Sequence, residues 1–192
     1  MKINKLQIVI FIFSVIVFSL LTNTYNNRLT QNVNDNYITK LSDNENNDNN
    51  LAKYISKEFE ISIKLAIEII KSAELEGEKN GIDKYLILAV IAVESRFHPY
   101  LESKAGALGL MQIMPNIHKA KIEKQGNIYS VFEIKSNISI GTEILKEFIK
   151  MTGNIESGLA KYVGAGNDIN HVYVQDVLSW HDKLKKTAQL KV

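Results

Sequence analysis

The 192-residue chain contains no cysteine. That excludes disulfides, thiolate metal sites, a cysteine nucleophile and a lipidated cysteine behind an export signal, and it leaves the redox compartment open. Net charge is also scarce: 23 Lys and Arg stand against 21 Asp and Glu, a balance of +2 with no basic run, so nucleic acid is not an expected partner. The histidines His98, His118, His171 and His181 show no His-x-x-x-His spacing, and neither a metal site nor any other cofactor is expected. Ser95 and Ser103 lie outside any Gly-x-Ser-x-Gly turn, which argues against serine hydrolysis. Proline is nearly absent too, and both prolines, Pro99 and Pro115, fall in one stretch.

That stretch, Ile91 to Pro115, organises the rest. Leu86, Ala89, Val90, Val93 and Phe97 recur at spacings of three and four, which predicts a helix with an apolar stripe. Glu94 follows Val93 and falls at the margin of the stripe, where partial desolvation favours the neutral carboxyl and raises its pKa. A general acid working near neutrality needs such a group. Pro99 is expected to stop the helix soon after Glu94. The run Gly106-Ala107-Leu108-Gly109-Leu110-Met111-Gln112-Ile113-Met114 sets glycines among apolar residues, so its backbone is able to turn tightly and approach a ligand. Gln112 carries the run's one polar side chain, an amide suited to a sugar hydroxyl or acetamido group. Met111 and Met114 are as fit for gap-filling as for ligand contact. Glu102, the other carboxylate nearby, reads as a solvated loop side chain.

Glu94-Ser95-Arg96-Phe97 followed by Gly106-Ala107-Leu108-Gly109-Leu110-Met111-Gln112-Ile113-Met114-Pro115 resembles the soluble lytic transglycosylases, lysozyme-like enzymes that cleave peptidoglycan glycan strands. The resemblance runs from about Ile61 to Leu178. It implies that Glu94 is the catalytic acid/base and that Ser103, Gly109, Leu110, Met111 and Gln112 bind the sugar. A third element, Ala160-Lys161-Tyr162-Val163-Gly164-Ala165-Gly166, is similar to the family's Ala-Tyr-Asn-Ala-Gly. It implies a catalytic role for Tyr162, with its hydroxyl close to Glu94. Val163 departs from the family's asparagine, so that contact does not carry over. By its surroundings alone, Tyr162 reads as core more readily than as catalyst.

The remaining chain divides by composition. Residues 1–22 carry Lys2 and Lys5 ahead of an apolar run from Ile8 to Leu21, an export signal. With no Ala-x-Ala site after it, a retained membrane anchor is favoured over a cleaved peptide. Residues 23–50 are rich in asparagine and acids and poor in apolar residues, which predicts a disordered linker. Asp43, Glu45 and Asp48 lack the glycine and terminal glutamate of a helix-loop-helix calcium site. Residues 51–192 form the expected catalytic domain. Within it Ile61, Leu65, Ile69 and Ala73 mark one amphipathic helix ending between Gly77 and Gly81, and Ile82-Asp83 starts the helix that bears Glu94. Ala120 to Tyr129 reads as a helix end and loop. Asn137 is expected to precede a helix closed by Gly153, and His171 to Leu184 a last helix with Val174, Val177, Leu178 and Trp180 inward.

An all-α, lysozyme-like domain behind an N-terminal signal or anchor helix and a linker is therefore expected. The resemblance implies an exported lytic transglycosylase that acts on the β-1,4 bond between N-acetylmuramic acid and N-acetylglucosamine and leaves a 1,6-anhydromuramic acid end. The expected partners are glycan strands, the cytoplasmic membrane if the anchor is uncleaved, and the machinery of the cell envelope. One well-placed carboxylate agrees with this, since the common glycosidases use two. Two alternatives stay open: a hydrolytic muramidase of the goose-lysozyme type, and a non-catalytic peptidoglycan-binding component of an envelope-spanning machine.

Overall fold

The computed structural model describes residues 46–164 and 167–190, so the expected signal segment and most of the expected linker lie outside the described residues. Helix α1 covers residues 46–59. It is followed by α2 (Ile63–Asn80), α3 (Lys84–Glu94), α4 (Pro115–Lys124), a 3-10 turn (Ile128–Phe132), α5 (Ile134–Thr152), α6 (Ile155–Val163) and α7 (Asn167–Ala188). Among the described residues no strand forms; two isolated bridges, Glu102 to Leu108 and Leu108 to Ile113, pin the segment between α3 and α4. None of the described helices is long and apolar enough to cross a membrane.

The compact unit starts at Asn47, earlier than the Leu51 boundary expected from composition. Polar residues do the tethering there: Lys84 Nζ donates to Asp48 Oδ1 at 2.7 Å, and Asn50 Nδ2 donates to the Leu190 carbonyl at 2.9 Å. A composition shift marks where apolar residues begin, and it misses polar residues that are held by ion pairs.

Helix α3 is the centre of the fold. The Asp83 side chain caps it by accepting from the Tyr85 N–H, and every residue from Leu86 to Ala92 is buried. Instead of the expected stripe the helix is apolar on all sides, as befits a helix enclosed by others. It packs against α2 and α7, while α5 packs against α2 and α6. The helix ends at Glu94, so Phe97 belongs to the turn that follows, not to the stripe. Arg96 and Phe97 both take left-handed backbone (φ 50° and 63°), a conformation costly for non-glycine residues. Burial of the Phe97 ring on Phe59 (4.7 Å), itself packed on Trp180 (5.0 Å), holds that turn.

Helix α7 runs antiparallel to α3 and is tied to it at both ends. His181 Nε2 and Lys185 Nζ lie 3.1 and 3.3 Å from Asp83 Oδ2 at the start of α3. Tyr173, two turns earlier in α7, reaches Glu94 at the other end. Helix α5 starts at Ile134, so Asn137 lies inside its first turns and is not a boundary; Gly153 ends it as expected, in left-handed backbone.

Candidate active site

Glu94 is the last residue of α3, and its partly buried carboxyl emerges where the apolar helix stops. Burial pushes its pKa from 4.5 up to about 7, and a hydrogen bond from Tyr173 opposes part of that rise. The Tyr173 hydroxyl donates to Glu94 Oε1 at 2.7 Å. Burial first, then the nearby Glu94 charge, push the Tyr173 hydroxyl far above its ordinary value, so it stays protonated and able to donate. A carboxyl with this acidity exists in both protonation states near neutral pH. It is able to give a proton and take one back within a single reaction.

The loop between α3 and α4 is built on backbone hydrogen bonds. Leu108 and Ile113 exchange N–H to carbonyl bonds at 2.9 Å each way, and Gly109 N–H donates to the Leu101 carbonyl at 2.8 Å. Asn137, 1% exposed, fastens the loop to α5. Its Nδ2 donates to the Leu108 carbonyl (3.1 Å) and the Val131 carbonyl (2.6 Å), and its Oδ1 accepts from the Met111 N–H (2.8 Å). Gly109, at φ +77°, lies against the Asn137 amide and the Val131 carbonyl, where a Cβ would collide. Met111 packs on Gly141 of α5, at a place where a Cβ would strike the methionine side chain. The Tyr162 hydroxyl donates to the Met111 carbonyl at 2.8 Å, so α6 holds the loop from a second side.

Loop, α4, α5 and α6 together enclose a cavity of about 370 Å³, with Gln112, Ile113, His118, Phe148, Lys161 and Tyr162 in its wall. Burial first, and then the Glu94 charge, push the Tyr162 hydroxyl well above its ordinary pKa, so it stays protonated and able to donate.

Residues 71–174 match the family model described as the transglycosylase SLT domain. The chain belongs to this family. Among similar curated proteins, the endo-type membrane-bound lytic murein transglycosylase A of Klebsiella pneumoniae is 36% identical over 92 residues, covering 45% of this chain and 45% of that protein. The membrane-bound lytic murein transglycosylase C of Photorhabdus laumondii is 29% identical over 139 residues, 65% of this chain and 36% of that one. The chain thus spans less than half the length of these relatives. The X-ray structure of an inactive mutant of lytic transglycosylase Slt from Pseudomonas aeruginosa shares the fold. Its TM-score is 0.56 at 23% identity, over 63% of this chain and 24% of that chain.

Against the SLT pattern, the structure arranges the expected site residues unevenly. The hydrogen bond to Glu94 comes from Tyr173, whereas Tyr162 donates to the Met111 carbonyl. Leu110 and Met111 have no exposed surface, so their side chains pack inward and build the loop from within, and the Gly109 backbone between them and Leu108 is buried too. Gln112 does line the cavity, yet its Nε2 also donates to the carbonyls of Leu101 (3.2 Å) and Gly109 (3.0 Å). Ser103 Oγ accepts from the Ala107 N–H at 2.9 Å and closes the approach to the loop. Two residues escaped the sequence: Asn137, hidden by its reading as a helix boundary, and Tyr173. A signal for Tyr173 existed, since it shares one helical face with Val177, Leu184 and Ala188, and a tyrosine on an inward face needs a partner for its hydroxyl. Among the described residues no cluster of metal-ligating side chains forms.

Proposed function

We propose that this SLT domain cleaves peptidoglycan glycan strands as a lytic transglycosylase, with Glu94 as its acid and base. The observation that carries the reading is the Glu94 carboxyl, raised to about 7 at the end of a buried helix and held by one tyrosine. Protonated Glu94 gives its proton to the glycosidic oxygen between N-acetylmuramic acid and N-acetylglucosamine, and that C–O bond breaks. The resulting carboxylate takes the proton of the muramic C6 hydroxyl, whose oxygen closes on C1. The product is a 1,6-anhydro end, no water is consumed, and Glu94 returns protonated. Tyr173 donates to the carboxylate in its charged interval and keeps the oxygen positioned. Tyr162, through the Met111 carbonyl, holds the loop beside the sugar, and Ser103, Gly109, Leu110, Met111 and Gln112 shape that loop.

An exported, membrane-held location is part of the proposal, supported by Lys2 and Lys5 ahead of the apolar run Ile8 to Leu21 and by relatives named membrane-bound. Mass spectrometry of muropeptides released from purified glycan strands tests the activity. Ends lighter by one water than reducing ends are expected; reducing ends alone would instead mark a hydrolytic muramidase, and no cleavage a binding module.

A further inference from the structure

Exposed tyrosine gathers at one place outside the cavity. Tyr100 is 78% exposed and Tyr129 76%, and their neighbours Leu101 and Ile128 are also open to solvent. Two segments distant in sequence bring the rings together. Tyr129 and Phe132 stand three residues apart in the 3-10 turn, which sets them on one face of it. The Tyr100 ring comes from the turn after α3 and packs on Phe132, with ring centres 6.4 Å apart. None of the three rings is part of the cavity wall.

Both segments are held by their backbones. Pro99 restricts the chain ahead of Tyr100. Just after it, the Leu101 carbonyl accepts from the Gly109 N–H at 2.8 Å and from Gln112 Nε2 at 3.2 Å. In the 3-10 turn the Asn127 side chain accepts from the Tyr129 N–H at 2.9 Å, the Asn127 carbonyl accepts from Ser130 Oγ at 2.6 Å, and Val131 is fully buried. The rings are therefore displayed on fixed backbone, which lowers the ordering cost of binding. Charge narrows the occupant. Residues 98–102 and 127–133 contain Glu102 and Glu133 and no Lys or Arg, so an anionic lipid surface or a nucleic acid meets no cation here. A sugar polymer suits the cluster better, since its C–H ring faces lie flat on tyrosine and its hydroxyls donate to phenol or carboxylate oxygens. Continuity points the same way: Gln112 lines the cavity and also bonds the Leu101 carbonyl, so one side chain separates the cavity from the cluster. A cavity of about 370 Å³ holds only a short piece of a polymer, and the rest of a strand has to cross the surface beyond it.

We propose that Tyr100, Tyr129 and Phe132 form a platform, separate from the cavity, on which sugar rings of a glycan strand stack at a distance from the bond being cut. The inference rests on the glycan-cleaving reading above and adds to it a preference for long strands over short ones. A short oligosaccharide fills the cavity and never reaches the tyrosines, whereas a long strand gains the second contact without a second encounter.

Fluorescence anisotropy tests this on the full chain carrying Glu94→Gln, which keeps the strands intact, with long peptide-free glycan strands and a tetrasaccharide cut from them as probes. The long strands are expected to bind more tightly. Adding Tyr100→Ala should weaken them about tenfold and leave the tetrasaccharide unchanged. Its melting temperature should match that of the unsubstituted chain, because the ring is largely exposed. Tyr129→Ala should act in the same direction, and Tyr100→Phe, which keeps the ring face, should retain most of the affinity. No binding of long strands, equal binding of both probes, or equal weakening of both by Tyr100→Ala overturns the platform. So does unchanged strand binding in Tyr100→Ala, and a loss of self-association in that variant would then assign the patch to a second copy of the chain. The two readings fail separately. A chain that holds long strands through Tyr100 but releases no cleaved ends with Glu94 intact sinks the lyase reading alone, and one that cleaves while Tyr100→Ala binds long strands normally sinks the platform alone.

Discussion

Glu94 and the loop between α3 and α4 are held by opposite physics. Helix α3 is enclosed by apolar side chains, and the one buried polar side chain near its end, Ser95, donates to the Ile91 carbonyl, which already accepts the Ser95 N–H. The loop from Leu101 to Ile113 lacks regular structure and depends on polar groups that arrive from elsewhere, Asn137 from α5 and Tyr162 from α6. The first region tunes acidity by withholding water; the second fixes a shape by satisfying backbone groups that water cannot reach. A catalytic carboxyl needs the former, and a surface that receives substrate needs the latter.

Replacing Glu94 by Gln should have the largest effect. Cleavage of glycan strands is expected to fall on the order of 10² to 10⁴-fold, because the amide has no proton to give. Stability should move the other way. A carboxyl raised from 4.5 to about 7 on folding leaves the native state unburdened below 4.5, and stability declines as pH rises between those values. Urea unfolding should therefore find Glu94→Gln more stable than the parent at pH 8, by on the order of 3 kcal/mol, with the gap closing toward pH 4. Equal stability at both pH values would show that the helix end does not desolvate the carboxyl.

On the loop side, Asn137→Leu keeps the volume of the side chain and removes three hydrogen bonds, stranding the Val131 carbonyl and the Met111 N–H while the Leu108 carbonyl keeps the Ile113 N–H. Unfolding free energy should drop by about 3 kcal/mol. Ser95→Ala, on the helix side, should cost less than about 1 kcal/mol because its carbonyl partner keeps a donor. Comparable losses for the two would erase the contrast between the regions. A smaller change is expected for Tyr162→Phe, about 1 kcal/mol from the lost bond to Met111, with the pH dependence of cleavage unmoved since the hydroxyl does not bond Glu94.

The same contrast explains what the sequence reveals. Helical periodicity and end signals are local, so α2, α3 and α7, the Asp83 cap and the glycines that end α2 and α5 are readable in order along the chain. Glu94 is readable because its burial follows from its neighbours. The bonds of Asn137 and Tyr173 span 26 and 79 residues, and no pattern within a helix announces them. Leu110 and Met111 show the converse: a motif names residues without saying which way they face, and the packing of Met111 on Gly141 is what turns this one inward.

The central claim is that burial makes Glu94 a neutral-range acid and that Tyr173 moderates it. Carboxyl-carbon NMR titration of the full chain, with the Glu94 signal assigned by its loss in Glu94→Gln, measures this without reference to activity. A midpoint near 7 is predicted for the parent, and a higher one for Tyr173→Phe, because the hydrogen bond that favours the carboxylate is gone. A parent midpoint close to the ordinary 4.5, or a midpoint lowered by Tyr173→Phe, would contradict the account.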